Sequence, residues 1–65
     1  MNESIMGLRE RFLKIYADIP LKLRKEIILV IEKEPITWNV AYVEVVNSTT
    51  KAEKILNMLK ELKII

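Results

Sequence analysis

The chain of 65 residues contains neither cysteine nor histidine, and this restricts its fold more than any other feature of the sequence. A domain near 60 residues buries only about 60% of its unfolded surface, so disulfides, a metal ion or a partner chain usually reinforce it. Disulfides and thiolate or imidazole metal sites are excluded here. Because hydrophobic residues make up 51% of the chain, we expect apolar side chains on the surface of a lone copy. We therefore predict a homo-oligomer, most simply a two-fold dimer; a tight monomer with scattered exposed apolar residues is the alternative.

Composition and pattern also restrict the class of protein. The longest apolar run, Ile27–Ile31, is far shorter than a membrane span. The first residues lack the positive charge of a signal peptide. We therefore expect one small soluble domain over residues 1–65, in the cytoplasm and without a membrane partner. The richness in Ile, Lys and Glu, with no Gln, His or Cys, fits a thermophilic host.

Apolar periodicity predicts an all-α fold of four short helices in a compact bundle. Ser4 is the expected N-cap of the first helix, which ends before Pro20. A second, strongly apolar helix is predicted over residues 20–33, lying centrally or against a partner. The fourth helix is expected to begin at a capping box formed by Thr50 and Glu53. Its predicted inner stripe comprises Ala52, Ile55, Leu56, Leu59 and Leu62.

The third segment, residues 36–46, is ambiguous between helix and strand. Its β-branched and aromatic residues favour a strand. On a strand, alternate residues would share one face: Ile36, Trp38, Val40 and Tyr42. On a helix, Thr37 would be the N-cap, and the inner face would comprise Val40, Ala41 and Val43. We choose the helix because a lone strand needs a pairing strand that the rest of the chain does not offer, although a second copy in a dimer would supply one.

The C-terminal half combines an entry threonine, Thr37, a small residue inside the helix, Ala41, a polar turn at residues 47–50 and a leucine-rich helix end at residues 59–65. Over residues 35–65 this combination resembles the helix-turn-helix core of small DNA-binding domains, particularly winged-helix domains, here expected without a wing. The resemblance implies a recognition helix after the polar turn, with the first two segments as supporting helices.

Four polar residues of the fourth helix are candidates for contact with double-stranded DNA. Lys51, Lys54 and Lys60 would neutralise phosphates, and Asn57 would read adenine in the major groove. The alternative is that these residues only solvate a helix. No arginine follows Arg24, which argues against sequence-specific recognition, since arginine makes the commonest specific base contact.

A second hypothesis needs no nucleic acid. The apolar second segment, an aromatic pair four residues apart and the apolar C-terminus would then form an interface. The candidate interface residues are Ile28, Leu29, Trp38, Tyr42, Ile64 and Ile65. Aromatic residues are enriched at interface hot spots, and they also stack on single-stranded bases; a place in the core is the alternative for this pair.

Catalysis is not expected. Histidine and cysteine are absent, Asp18 is the only aspartate, and the sole glycine, Gly7, excludes a glycine-rich phosphate loop. We expect no cofactor, no metal and no small-molecule substrate. The leading hypothesis is a small nucleic-acid-binding, transcription-associated protein. The alternative is a non-catalytic protein-interaction or homo-oligomeric assembly module.

Overall fold

The first helix forms where the sequence predicts it. The structure, a computed structural model, describes residues 4–65. Helix α1 spans Ile5–Asp18, and the side-chain oxygen of Ser4 accepts a hydrogen bond from the Gly7 amide at 3.1 Å. Pro20 follows and disfavours helical geometry in the residue before it. The prediction of a first helix capped by Ser4 is confirmed.

The second segment is a β-hairpin and not a helix. After a short 3₁₀ turn at Leu21–Leu23, strand β1 covers Ile27–Ile31 and strand β2 covers Glu34–Thr37. The two strands pair in antiparallel orientation. The predictions of a helix over residues 20–33 and of an all-α bundle of four helices are therefore wrong. The described residues form an α+β fold with three α-helices and one two-stranded sheet.

Backbone geometry and residue type explain why this segment forms a hairpin. Glu32 and Lys33 have φ angles of 50° and 68°, and such a left-handed two-residue turn matches the twist of the strands that it joins. All residues of β1 except Leu29 are β-branched, a type that suits strands. The strand that pairs with β1 is β2, which begins at Glu34, directly after the end of the predicted second helix.

The third segment is a helix, as predicted, but it begins at Trp38 instead of residue 36, and the residues that face the core differ from those predicted. Helix α2 spans Trp38–Val46, and the Thr37 hydroxyl oxygen accepts a hydrogen bond from the Val40 amide at 3.0 Å. The expected cap is therefore confirmed, while residues 36 and 37 belong to β2. The predicted inner face is wrong in two of its three residues. The side chains buried from α2 are those of Trp38, Ala41 and Val45.

The fourth segment is helix α3, which spans Thr50–Glu61. Its N-cap is Thr49, whose hydroxyl oxygen accepts a hydrogen bond from the Ala52 amide at 3.1 Å. The predicted capping box with Thr50 in the cap position is therefore wrong by one residue. Four of the five predicted stripe residues are buried, namely Ala52, Ile55, Leu56 and Leu59, whereas Leu62 is exposed.

Phe12 lies at the centre of the core. Its side chain is fully buried, and its ring centroid is 5.9 Å from that of Trp38 and 6.0 Å from that of Tyr16. Helix α2 contacts α1, α3 and β2, so one side of it lies against three elements. The buried core residues are Leu8, Phe12, Leu29, Ile31, Ile36, Trp38, Ala41, Val45, Ala52, Ile55, Leu56, Leu59 and Ile65.

Candidate interaction surface

The side of α2 that faces away from the core is apolar. Val40, Val43 and Val46 are 36%, 53% and 43% exposed. A surface helix normally places charged or polar residues opposite its buried stripe. This exposed side is the candidate functional site of the chain.

A single charged residue borders the exposed side of α2. Within this helix, all of which the structure describes, Glu44 is the only charged residue. Its side chain is half-buried, and its Oε1 atom accepts a hydrogen bond from the Thr49 hydroxyl at 2.7 Å. The carboxylate is therefore engaged at the turn between α2 and α3, while Glu44 also lines a shallow groove together with Asn39, Val40 and Val43.

Two asparagines border the valines. The Oδ1 atom of Asn39 accepts a hydrogen bond from the Tyr16 hydroxyl at 2.9 Å. The Nδ2 atom of Asn47 donates to the Val43 carbonyl oxygen at 2.8 Å. Both side chains are exposed. We define the α2 surface as Asn39, Val40, Val43, Val46 and Asn47.

Tyr42 lies beside the α2 surface and is held in a stack. Its ring centroid is 4.3 Å from that of Tyr16, with 16° between the ring planes. The guanidinium carbon of Arg24 lies 4.3 Å from the same Tyr16 centroid. Because two groups cannot occupy one ring face at this distance, Arg24 and Tyr42 cover opposite faces of Tyr16. The stack fixes α2 against α1.

The outer face of the hairpin adjoins the start of α2. The pairing of β1 with β2 is irregular between Ile27 and Leu29 of β1, and Ile27 lies opposite Thr37 of β2. The alternation of inward-facing and outward-facing side chains along β1 therefore shifts by one residue. As a result Ile27 and Val30 are both exposed, whereas Leu29 is buried. Ile27 therefore lies next to Thr37, which caps the helix that carries the α2 surface.

The six residues predicted to form an interface differ in how deeply the structure buries them. Leu29, Trp38 and Ile65 belong to the buried core, and Ile28 and Ile64 pack against it half-buried. Tyr42 alone among the six is exposed. The residues of the α2 surface were missing from that set, because a helix apolar on all sides does not reveal by its pattern which side faces the core. The available signal was the lack of charge in residues 36–43.

The four predicted DNA-contacting residues do not form a free basic surface. The Lys51 ammonium lies 2.6 Å from the Glu34 carboxylate, and the Lys54 ammonium lies 3.5 Å from that of Glu32. The hydrogen bond to Glu34 raises the pKa of Lys51. Asn57 is exposed, and Lys60 is half-buried. The hairpin thus places two carboxylates beside the lysines that were expected to meet phosphates.

Residues 4–65 contain no cluster of three or more carboxylate, thiol or imidazole side chains arranged to hold a metal ion. None of the helices in that part of the chain has the length and apolar character needed to cross a lipid bilayer. No protein-family model matches the chain, and comparisons with curated proteins and with solved structures give no significant match. Function therefore has to be argued from the surface itself.

Proposed function

We propose that this chain is a non-catalytic protein-interaction module that docks through the α2 surface. The observation that carries the proposal is a helix side with three exposed valines, bordered by a single charged residue, Glu44, whose carboxylate accepts a hydrogen bond from Thr49. Contiguous exposed apolar patches mark protein–protein contacts, and the centres of interfaces are depleted of charge. That the chain is not an enzyme and that it lies in the cytoplasm remain predictions from its sequence.

The rigidity of α2 supports the proposal. Helix α2 is capped by Thr37, its inner side is buried, and the stack of Tyr42 on Tyr16 fixes it to α1. A surface that is already ordered loses little conformational entropy on binding. A partner would therefore meet a preformed apolar ridge.

The nucleic-acid hypothesis has less support from the geometry. Lys51 and Lys54 are both paired with carboxylates of the hairpin. A lysine with a carboxylate beside it attracts phosphate less strongly, because the pair carries no net charge. DNA binding through α3 stays a prediction from sequence.

The proposal is tested by placing a photo-cross-linking residue at position 43 of the full chain, in the cells that make it. The control carries the same residue at position 57, where Asn57 is exposed on α3. We expect position 43 to give a defined adduct, identified by mass spectrometry, that position 57 does not give. Adding Val40→Lys should suppress that adduct, because it places a charge in the apolar patch. Equal cross-linking at both positions would contradict the proposal.

A further inference from the structure

The outer edge of strand β1 is open. The hairpin is a sheet of two strands, and helix α2 contacts β2. Among residues 4–65, no backbone hydrogen bond joins β1 to a segment other than β2. The N–H and C=O groups along the far side of β1 therefore have no strand to bond to in this part of the chain. Such an edge is a template for pairing with another extended chain.

The register of the hairpin shows which residue of β1 faces this edge. Ile31 and Glu34 flank the two-residue turn, so they form the first hydrogen-bonded pair. Hydrogen-bonded and non-hydrogen-bonded pairs alternate along an antiparallel ladder, so the next pair, Val30 and Pro35, is not hydrogen-bonded. The backbone N–H and C=O of Val30 therefore point away from β2. Proline suits the position opposite, because it has no N–H to donate.

The two edges of the sheet differ in their protection against further pairing. Natural sheets protect exposed edges with proline, with charged residues or with a covering element. The edge of β2 has Pro35 at its outward-facing position. Strand β1 has no proline and no charged residue, since it consists of Ile27, Ile28, Leu29, Val30 and Ile31. Of the two strands, β1 is therefore the one that can accept another strand.

We propose that a second copy of this chain occupies the open edge, with the two β1 strands paired in antiparallel order about a two-fold axis at Val30. Val30 then exchanges both backbone hydrogen bonds with Val30 of the partner subunit. Leu29 lies opposite Ile31 of the partner subunit, and both are buried residues of the inward side of β1. This contact uses a surface other than the α2 surface, so it goes beyond the proposed function and does not depend on it.

Two properties of the paired sheet favour a second copy over an unrelated strand. Identical strands supply the same apolar residues from both sides, so no charged residue lies opposite Leu29, Val30 or Ile31. The resulting sheet of four strands has a β2 strand at each outer edge, and Pro35 protects both edges. Pairing therefore ends at the dimer, as a closed two-fold assembly requires.

The exposed side chains of the hairpin support this register. Val30 is 56% exposed, and Pro35 beside it is exposed as well. In the paired sheet these two residues and their counterparts form a continuous apolar row across the outer face. The irregular pairing at Ile28 ends the paired stretch on one side, and the turn at Glu32 ends it on the other. The contact is therefore short, and we expect a weak dimer.

Analytical ultracentrifugation of the purified full chain tests the proposal. We expect the wild type to shift from monomer to dimer between about 10 µM and about 1 mM, the range of weak contacts. Val30→Lys should remain monomeric, because lysine protects a strand edge, and circular dichroism should show that it is folded. The matched control is Val43→Lys on α2, since Val43 and Val30 are 53% and 56% exposed. It should dimerise as the wild type does.

Chemical synthesis of the full chain separates the effect of the backbone from that of the side chain. A methyl group on the backbone nitrogen of Val30 removes the N–H and leaves the valine side chain unchanged. We expect this variant to be folded, because the N–H of Val30 points away from β2. It should nevertheless remain monomeric. Undiminished dimerisation would contradict pairing through the strand edge.

Cysteine cross-linking tests the register, since the wild type has no cysteine. Val30→Cys should form a disulfide-linked dimer, because the Cα atoms of a hydrogen-bonded pair lie about 5.5 Å apart, within the reach of a disulfide. The control is Ile27→Cys, on the same strand and 59% exposed. Its two copies would be offset by about 20 Å along the strands, so it should cross-link much more slowly.

Three results would overturn the inference: a wild type that stays monomeric, a Val30→Lys variant that dimerises as the wild type does, or equal cross-linking rates for Val30→Cys and Ile27→Cys. A dimer that Val43→Lys abolishes and Val30→Lys does not would place the contact on α2, and it would overturn the inference as well. The docking function of the α2 surface is judged separately, by photo-cross-linking at position 43.

Discussion

The ammonium group of Lys51 donates hydrogen bonds to both carboxylate oxygens of Glu34, at 2.7 and 2.6 Å, and so joins the first turn of α3 to strand β2. The Lys54 ammonium, three residues later, lies 3.5 Å from one carboxylate oxygen of Glu32. Because contact with phosphate would compete with these pairs, we predict no salt-dependent binding of duplex DNA. Fluorescence anisotropy at about 50 and about 200 mM salt measures this directly.

Two variants serve as controls for the DNA measurement. Glu32→Gln/Glu34→Gln removes the carboxylates and leaves both lysines uncompensated, so any latent affinity for phosphate should increase. Lys51→Glu/Lys54→Glu reverses the charge at the same place. Salt-sensitive binding by the wild type that disappears in the charge-reversed variant would contradict our prediction and favour the nucleic-acid hypothesis.

The same ion pair predicts a pH dependence of stability. The hydrogen bond that Lys51 donates to Glu34 raises the pKa of the Lys51 ammonium group above the usual 10.5. Because this pKa is higher in the folded chain than in the unfolded chain, the pair stabilises the fold below pH 10.5, and this contribution is lost as the pH rises through the folded value. We expect the wild type to be slightly more stable than Lys51→Met at about pH 8, and this difference to be smaller at a pH above the usual 10.5. Urea unfolding at both pH values measures this, and an undiminished difference at high pH would be the contrary result.

Helix starts were the most predictable feature of the fold. Ser4 and Thr37 were identified as caps from sequence, and both accept the expected hydrogen bond from an amide three residues later. Such caps depend on local chemistry that a short stretch of sequence carries. At α3 two adjacent threonines both suit the cap, so local chemistry did not distinguish Thr49 from Thr50.

The hairpin was not predictable in the same way. The two turn residues, Glu32 and Lys33, have left-handed backbones but are not the Asn-Gly or Asp-Gly types that announce such a turn. A short apolar run such as Ile27–Ile31 fits a buried helix or a strand equally well. Only its pairing with β2 decides between them, and that pairing is a tertiary relationship.

The candidate site was also only partly predictable. Trp38 has the residue type of an interface hot spot and Leu29 is a large apolar residue, yet both are buried within one chain. Residue type reports a preference for burial but does not specify whether the burying surface is the same chain or another. The exposed valines of α2 became identifiable only when the inward-facing side of the helix was known.

Phe12 should be the most sensitive position of the core. It is fully buried between Trp38 and Tyr16. Phe12→Ala should cost about 3–5 kcal/mol of unfolding free energy. A chain of 65 residues has about 3–10 kcal/mol in total, so we expect this variant to be largely unfolded.

Urea unfolding followed by tryptophan fluorescence measures the effect of Phe12→Ala. Met6→Ala is the control, because Met6 lies on the same helix and is exposed. Its effect should stay within about 0.5 kcal/mol. A Phe12→Ala variant as stable as Met6→Ala would show that Phe12 does not hold the three helices together.

Lys33→Gly should stabilise the chain, because Lys33 has a φ of 68°, where a side chain causes steric repulsion and glycine does not. The expected gain in unfolding free energy is about 0.5–1 kcal/mol, after the greater entropy of glycine in the unfolded chain is subtracted. The control is Lys14→Gly, at an exposed interior position of α1, which should lose about 1 kcal/mol. Urea unfolding of both variants therefore gives opposite signs if residues 32 and 33 form the hairpin turn. A Lys33→Gly variant that is destabilised, as Lys14→Gly is expected to be, would contradict a left-handed backbone at residue 33.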